Sequence, residues 1–191
     1  MEQREFIVFL NLIEKLKCNT RHSWTSTGRR ESVAEHSWRL AVMAMLCKNE
    51  YPDLDIDKVI KMCLVHDWGE AITGDIPAFW KTRADEAVED RAVAELLSDL
   101  PEPHRGALQA LFAEMEAKET PEARLYKALD NLETLISHNE ADLATWIPRE
   151  YTENLTYGQE NCRWSAWTQG LKEAVKQDSL EKIAREKARE E

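Results

Sequence analysis

Apolar residues in this chain recur every three or four positions, and this spacing constrains the fold more than any other feature of the sequence. A period near 3.6 residues indicates a helix with one buried face, whereas a half-buried strand alternates every second residue. Only six glycines and six prolines interrupt the pattern over 191 residues. The sequence therefore predicts an all-α fold, and its length predicts one compact domain spanning residues 1–191.

Capping signals mark where predicted helices begin. Ser32 and Glu35 form a capping-box pattern at the start of one helix, and Thr120 followed by Pro121 marks the start of another. The segment 19–30 is predicted to be a loop, whereas residues 139–160 give no clear pattern. The predicted helices cover residues 6–16, 32–48, about 57–72, about 88–97, about 108–115 and about 120–138, with a last helix from about residue 159.

Composition argues against several classes of function. The net charge of −11 would repel a nucleic-acid backbone, so a DNA or RNA polymer is a poor partner. The longest wholly apolar run, residues 40–47, is far shorter than the roughly 20 residues of a membrane helix, and the N-terminus lacks the pattern of a signal peptide. The four cysteines are widely spaced and form no C-x-x-C pair. We expect a cytoplasmic protein with reduced thiols and no membrane partner.

Polar side chains fall on the buried faces of three predicted helices. His36 shares its apolar face with Leu40, the pair His66-Asp67 continues the apolar row of the third helix, and Asp130 interrupts a stripe of leucines. Burying an isolated ionised carboxylate is strongly unfavourable unless it is paired or bound to a metal. Two imidazoles and two carboxylates from three helices could satisfy this requirement by sharing one divalent cation.

Three segments that contain these residues resemble one protein family. The stretches ESVAEHSWRLAVMA, LVHDWGEAITGDIP and ALDNLETLI resemble the HD-domain metal-dependent phosphohydrolases, and more closely the small branch that contains the 5′-deoxynucleotidases. The resemblance covers about residues 5–140, and residues 141–191 are expected to form a C-terminal helical extension. It implies a helical HD-domain fold with a metal site between helices, and it implies a homodimer.

The resemblance also implies roles for individual residues. Glu70 would act on the attacking water, and Asp75 would hold the water or the sugar end of the substrate. Mixed nitrogen and oxygen ligands suit cobalt, manganese, iron or zinc better than magnesium. The implied ligands of one divalent metal ion are His36, His66, Asp67 and Asp130. The implied substrate-binding residues are Arg21, Trp24, Asp75, Ile76, Pro77 and Ala78.

The favoured function is a metal-dependent phosphomonoester hydrolase, a 5′-nucleotidase or 5′-deoxynucleotidase that acts on nucleoside 5′-monophosphates. A deoxynucleoside triphosphate hydrolase is an alternative, although the chain has few spare basic residues for three phosphates. A di-iron oxygenase would need further histidines, and only His104 lies between the His66-Asp67 pair and Asp130. A non-catalytic module that keeps the metal for stability is a third alternative. His22 and His104 are predicted to be surface residues, and the preferred base and sugar stay open.

Overall fold

The computed structural model describes residues 1–77 and 80–190, and most of them are helical. The all-α prediction is confirmed. In chain order the elements are α1 (Gln3–Ile13), α2 (Lys15–Cys18), β1 (Thr20–Trp24), β2 (Arg30–Ser32), α3 (Val33–Leu46), α4 (Ile56–Val65), α5 (Glu70–Thr73), α6 (Arg83–Ser98), α7 (His104–Ala117), α8 (Pro121–Glu140), α9 (Glu150–Thr156), α10 (Gln159–Cys162) and α11 (Ala166–Glu190). Two short 3-10 helices, Cys47–Asn49 and Leu143–Thr145, follow α3 and α8.

Helix α8 is the centre of the molecule, and the helices that carry the polar residues of interest pack around it. It contacts α3, α4, α7 and α11. The side chains of Leu125, Leu129 and Leu132 are fully buried along it. The hydroxyl of Thr120 accepts a hydrogen bond from the amide of Ala123, which confirms the predicted cap. Asp130 therefore lies in the middle of a rigid and deeply buried helix.

The predicted capping box at the start of α3 is also present. The side chain of Ser32 accepts a hydrogen bond from the amide of Glu35, and the Glu35 carboxylate accepts one from the amide of Ser32. These two bonds satisfy amide groups that have no partner within the helix. Because His36 follows Glu35 directly, the cap fixes the point at which this histidine enters the core.

The segment 19–30, predicted to be a loop, contains a β-hairpin. Strands β1 and β2 pair antiparallel, with Thr20 opposite Ser32 and Trp24 opposite Arg30. The turn between them places Gly28 at a φ of 82°, in the left-handed region that glycine adopts most easily. The pairing is irregular between Thr20 and Trp24. Strands of five and three residues are too short for alternation to stand out against the surrounding helical periodicity.

The predicted helix over residues 57–72 is interrupted. Helix α4 ends at Val65, and the chain turns through residues 66–69 before the short α5 begins at Glu70. Helix α6 passes close to this turn. A Cβ atom added to Gly69 would come within 2.9 Å of Cγ of Glu89, which lies on α6. Gly74, at a φ of 75°, ends α5. The interruption places His66 and Asp67 in a turn and not in a continuous helix.

Helices α9, α10 and α11 form the C-terminal part of the chain. Helix α11 packs against α8 and α9, and α10 also contacts α8. The rings of Tyr51 and Trp164 stack at 5.4 Å between their centroids, which joins this part of the chain to the segment after α3. Across residues 1–77 and 80–190, the helices are too short or too polar to span a bilayer.

Candidate active site

Three elements bring the four predicted metal ligands together. His36 comes from α3, His66 and Asp67 from the turn after α4, and Asp130 from α8. Nε2 of His36 lies 3.2 Å from Nε2 of His66 and 3.2 Å from Oδ1 of Asp130. Nε2 of His66 lies 3.0 Å from Oδ2 of Asp67. Four potential ligand atoms thus converge on one small volume.

Hydrogen bonds on the far side of each imidazole ring fix its orientation. Nδ1 of His36 contacts Oε2 of Glu133, which is fully buried and also accepts a hydrogen bond of 2.7 Å from Nε of Arg39. Nδ1 of His66 lies 2.9 Å from the backbone oxygen of Cys63. Histidines that bind metals are usually oriented by such partners at the second nitrogen. Both Nε2 atoms are therefore directed at the common centre.

The charges around this centre favour a cation. Burial lowers the pKa of His66, but the carboxylates of Asp67 and Asp130 outweigh it and raise that pKa to about 10. Burial raises the pKa of Asp67, but the imidazoles of His66 and His36 outweigh it and bring that pKa below its ordinary value. Two imidazoles and two carboxylates form a donor set that suits a divalent transition metal. The cluster could therefore bind such an ion.

Glu70 is a buried carboxyl group beside this cluster. Its residue is 4% exposed, and its Oε2 makes no hydrogen bond within the described part of the chain. Burial, together with the carboxylates of Asp67, Asp75 and Glu89, raises the pKa of Glu70 to about 9. Burial is also the main cause that raises the pKa of Asp75. With this pKa the carboxyl group of Glu70 is protonated near neutral pH, and the charge of a bound cation would lower the pKa towards the range in which the carboxylate can accept a proton.

A cavity of about 140 Å³ opens onto the cluster, and several predicted substrate-binding residues line it. Arg21, Asp75, Ile76 and Pro77 are among its lining residues, together with Glu70, Asp67 and Asp130. Trp24 is not among the described residues that line it, so the predicted contact of this residue with substrate has no support here. Its ring instead lies 4.5 Å from the guanidinium carbon of Arg30. Ala78 lies outside the described residues.

The cavity also contains residues that the sequence did not identify. Lys127 donates a hydrogen bond of 2.7 Å to Oδ2 of Asp130, which lies three residues further along α8. Residues three apart are neighbours on a helix, so this spacing could have identified Lys127 from the sequence. Lys81 pairs with Glu89. Nη2 of Arg21 donates a hydrogen bond of 3.0 Å to Thr134. The lining residues missed at the sequence level are His22, Ser23, Lys81, Lys127, Thr134, His138 and Tyr157.

His22 is not the surface residue that the sequence predicted. Its side chain is 16% exposed, and it lines the cavity together with its neighbours Arg21 and Ser23. In a regular strand, successive side chains point to opposite faces. The pairing of β1 with β2 is irregular, and irregular pairing of this kind redirects side chains next to functional sites. This irregularity accompanies the three consecutive residues of β1 that line one cavity.

Comparison with known families and proteins points in the same direction as the geometry. The family model of the HD domain matches residues 13–171 of this chain. The chain is 36% identical over 141 residues to 5′-deoxynucleotidase HDDC2 of Bos taurus, and the aligned region covers 72% of this chain and 68% of that protein. It is 32% identical over 174 residues to 5′-deoxynucleotidase hdd1 of Schizosaccharomyces pombe, covering 81% of this chain and 86% of that protein.

Solved structures share the fold over nearly the whole chain. A predicted metal-dependent phosphohydrolase from Magnetospirillum magnetotacticum superposes with a TM-score of 0.79 at 32% identity, covering 94% of this chain and 93% of that chain. A conserved hypothetical protein from Pyrococcus furiosus superposes with a TM-score of 0.68 at 28% identity, covering 90% of this chain and 98% of that chain.

Proposed function

The chain belongs to the HD-domain family, and from this premise we propose that it is a metal-dependent 5′-deoxynucleotidase that releases phosphate from deoxynucleoside 5′-monophosphates. The observation that carries the proposal is the convergence of four metal-capable side chains, two of which, Asp67 and Asp130, line a cavity that also contains Glu70. Relatives named 5′-deoxynucleotidase supply the substrate class.

The proposed mechanism assigns a task to each group in the cavity. His36, His66, Asp67 and Asp130 would hold the divalent ion. When bound, such an ion supplies Lewis-acid polarisation of a phosphate oxygen and makes its water ligand more acidic. Glu70 would accept the proton of the attacking water in its deprotonated form, which the charge of the bound ion favours by lowering the pKa of Glu70 from about 9. Asp75 orients the water or the sugar from the same wall.

Arg21 is the group best suited to the charge of the phosphate. Its side chain is 11% exposed, and it lines the cavity beside the metal ligands. Burial lowers the pKa of Arg21, but the carboxylates of Glu133 and Asp67 outweigh this effect, so the guanidinium stays charged. A planar guanidinium matches two phosphate oxygens at once. Arg21 therefore orients the phosphate and offsets the charge of its oxygens.

The basic groups of the cavity favour a monophosphate over a triphosphate. Arg21 lies 3.8 Å from Glu31, Lys127 lies 2.7 Å from Asp130, and Lys81 pairs with Glu89. Each basic residue that lines the described cavity is thus already matched by a carboxylate. Two further phosphate groups would add charge that these side chains do not balance. A deoxynucleoside triphosphate hydrolase is the weaker alternative for this reason.

The identity of the metal, the oligomeric state and the compartment are part of the same proposal. The mixed nitrogen and oxygen donors suit cobalt, manganese, iron or zinc better than magnesium. A homodimer is supported by the apolar residues that α1 leaves exposed, among them Phe6, Val8 and Leu10. A cytoplasmic location is consistent with the four cysteines, which are all unpaired.

The test is phosphate release from a panel of substrates after loading with cobalt or manganese. The panel contains deoxynucleoside and ribonucleoside 5′-monophosphates and the matching triphosphates. We expect turnover of deoxynucleoside monophosphates, weak turnover of triphosphates, and loss of activity in Asp130→Asn. His104→Ala is the matched control, since His104 is exposed at the start of α7. A protein that binds metal but releases no phosphate from any substrate would instead be a non-catalytic module.

A further inference from the structure

Arg21 marks the phosphate end of the cavity in the proposed function, and two neighbouring side chains fix its position. Nη2 of Arg21 donates a hydrogen bond of 3.0 Å to the hydroxyl of Thr134, and Nε lies 3.8 Å from Oε2 of Glu31. Thr134 lies one helical turn beyond Asp130 on α8. The guanidinium is therefore held near the metal cluster, and a phosphate that binds there can contact both.

Ser23 lies two residues beyond Arg21 in β1 and lines the same cavity. A strand rises by about 3.2–3.4 Å per residue, so the Cα atoms of these two residues are roughly 6–7 Å apart. In a nucleoside monophosphate the sugar follows the phosphate directly. A substrate whose phosphate contacts Arg21 can therefore place its sugar beside Ser23.

The direction of β1 places Ser23 on the side of the cavity that faces away from the metal cluster. The first residue of β1 pairs with the N-cap of α3, the helix that carries His36. Further along β1, the ring of His22 lies 6.3 Å from the ring of His138, measured between centroids. At 1.5 Å of rise per residue, His138 lies about 12 Å along α8 from Asp130. The strand therefore runs from the phosphate end of the cavity towards the space left for the rest of the substrate.

The hydroxyl of Ser23 has no hydrogen-bond partner within residues 1–77 and 80–190, although the residue is only 3% exposed. Buried polar side chains are normally hydrogen-bonded, and a serine hydroxyl can both donate and accept. Because Ser23 lines the cavity, a ligand bound there can supply the missing partner.

The uncharged hydroxyl of Ser23 suits the sugar, while the charged side chains of the cavity suit the phosphate. Arg21 and Lys127 also line the cavity, and both lie close to carboxylates of the metal cluster. A phosphate dianion is favoured beside these cations. In a deoxynucleoside 5′-monophosphate the 3′-hydroxyl is the one free hydroxyl of the sugar. It can donate to the oxygen of Ser23 or accept from it.

We propose that Ser23 binds the 3′-hydroxyl of the substrate through its side chain. This inference rests on the proposed function and deepens it, because it assigns a residue that recognises the sugar. Arg21 and Ser23 hold the phosphate and the sugar from one strand, so the spacing along β1 matches the spacing of the two groups. A substrate without a 3′-hydroxyl leaves the hydroxyl of Ser23 unpaired and is a poorer substrate.

The test removes the two hydroxyls separately and together. Deoxyadenosine 5′-monophosphate and 2′,3′-dideoxyadenosine 5′-monophosphate differ only at the 3′ position, so the ratio of their kcat/KM values reports the contribution of that hydroxyl. In Ser23→Ala we expect this ratio to fall about 5-fold, which corresponds to one neutral hydrogen bond. The fall should come from the deoxy substrate alone. An unchanged ratio, or an equal loss for both substrates, would overturn the proposal.

Two further variants separate hydrogen bonding from packing. Ser23→Cys keeps the approximate size of the side chain, but a thiol is a weak hydrogen-bonding group, so we expect the same fall as in Ser23→Ala. A wild-type ratio in the cysteine variant would show that Ser23 acts by packing. Ser98→Ala is the matched control, because Ser98 is exposed at the end of α6, and it should keep the wild-type ratio.

Inhibition by inorganic phosphate shows which end of the substrate Ser23 contacts. The inhibition constant should be the same in Ser23→Ala and in the wild-type protein, because phosphate has no sugar. Weaker inhibition in the variant would place the hydroxyl at the phosphate and overturn the proposal.

Calorimetric titration with nucleosides makes the test independent of catalysis. We expect the wild-type protein to bind deoxyadenosine about 5-fold more tightly than 2′,3′-dideoxyadenosine, and Ser23→Ala to bind the two alike. The absence of a difference in the wild-type protein would contradict the sugar contact. A difference that depends on Ser23, in a protein that releases no phosphate from any substrate, would contradict the proposed function and retain the sugar site.

Discussion

Glu70 is the residue on which the proposed proton transfer depends. Its pKa is raised from 4.5 to about 9 by burial and by neighbouring carboxylates, and the charge of a bound ion would lower it from that value. Only the deprotonated carboxylate accepts a proton, so kcat/KM should rise with pH through a midpoint between these two limits. In Glu70→Gln this rise should be lost, and the rate should fall by about 10²- to 10⁴-fold.

The measurement for Glu70 is a pH–rate profile together with a metal titration. Glu70→Gln should bind the ion about as well as the wild-type protein, because the four ligands are intact. A variant with an unchanged profile would remove Glu70 from the mechanism. A variant that no longer binds the ion would show that this carboxylate is a ligand and not a base.

Glu133 offers a separate prediction about metal affinity. It contacts Nδ1 of His36 and holds the Nε2 atom towards the centre of the cluster. Partners of this kind typically change metal affinity by 10- to 100-fold, so Glu133→Gln should weaken the binding of Mn²⁺ by about that factor. Competition with a fluorescent chelator measures the change. Glu140→Gln is the control, since Glu140 also pairs with Arg39 but is exposed and distant in sequence from the ligands. Equal affinity in the two variants would contradict the role of Glu133.

Single residues differ in how well the sequence revealed them. Asp130 was identifiable because a carboxylate that interrupts an apolar helical stripe requires a buried partner. His22 was not, because its burial depends on an irregular strand pairing and on Glu150, 128 positions further along the chain. Glu133 interrupts the same stripe as Asp130, so the same reasoning would have found it.

At the scale of elements, the junction between α9 and α10 makes a sharp prediction. Gly158 has a φ of 71°, and a Cβ at this position would lie 2.6 Å from Cβ of Asn131. The amide of Asn131 bonds with Tyr157 at 3.0 Å and Asn161 at 2.7 Å, so it has little freedom to move. We expect Gly158→Ala to lower the free energy of unfolding by about 1–3 kcal/mol.

Chemical denaturation measures this change, and the chain contains a matched control. Gly170 lies within α11, and a Cβ there would meet no atom of the described residues within 4 Å. Gly170→Ala should therefore raise the free energy of unfolding by up to about 1 kcal/mol, since alanine favours a helix more than glycine does. Two alanine variants of similar stability would show that the close approach to Asn131 is not maintained in solution.

The elements themselves were predicted with different success for physical reasons. Helices α3 and α8 follow from caps and apolar periodicity that lie within each segment, such as the pair Ser32 and Glu35. The interruption after Val65 was not predicted, because it involves the close crossing of α6 at Gly69, a contact between distant parts of the chain. Local patterns determine most of the helices, while tertiary contacts determine where a helix is broken to position a site.

At the scale of the whole molecule, an acidic protein is proposed to bind an anionic substrate. The net charge is −11, yet Arg21, Lys81 and Lys127 gather around one cavity next to the metal ligands. The electric field of these three basic side chains acts locally, because salt screens charges over about 8–10 Å. The folding of the chain brings these residues together from positions more than 100 apart, so the site exists only in the folded protein.

The proposed chemistry depends on one divalent ion bound by His36, His66, Asp67 and Asp130. Crystals grown with Co²⁺ and measured at the cobalt absorption edge would locate this ion. We expect an anomalous peak within about 2.0–2.2 Å of Nε2 of both histidines and of one oxygen of each carboxylate. A cobalt-loaded crystal in which these four side chains point apart, or in which the ion is bound elsewhere, would rule out this metal site.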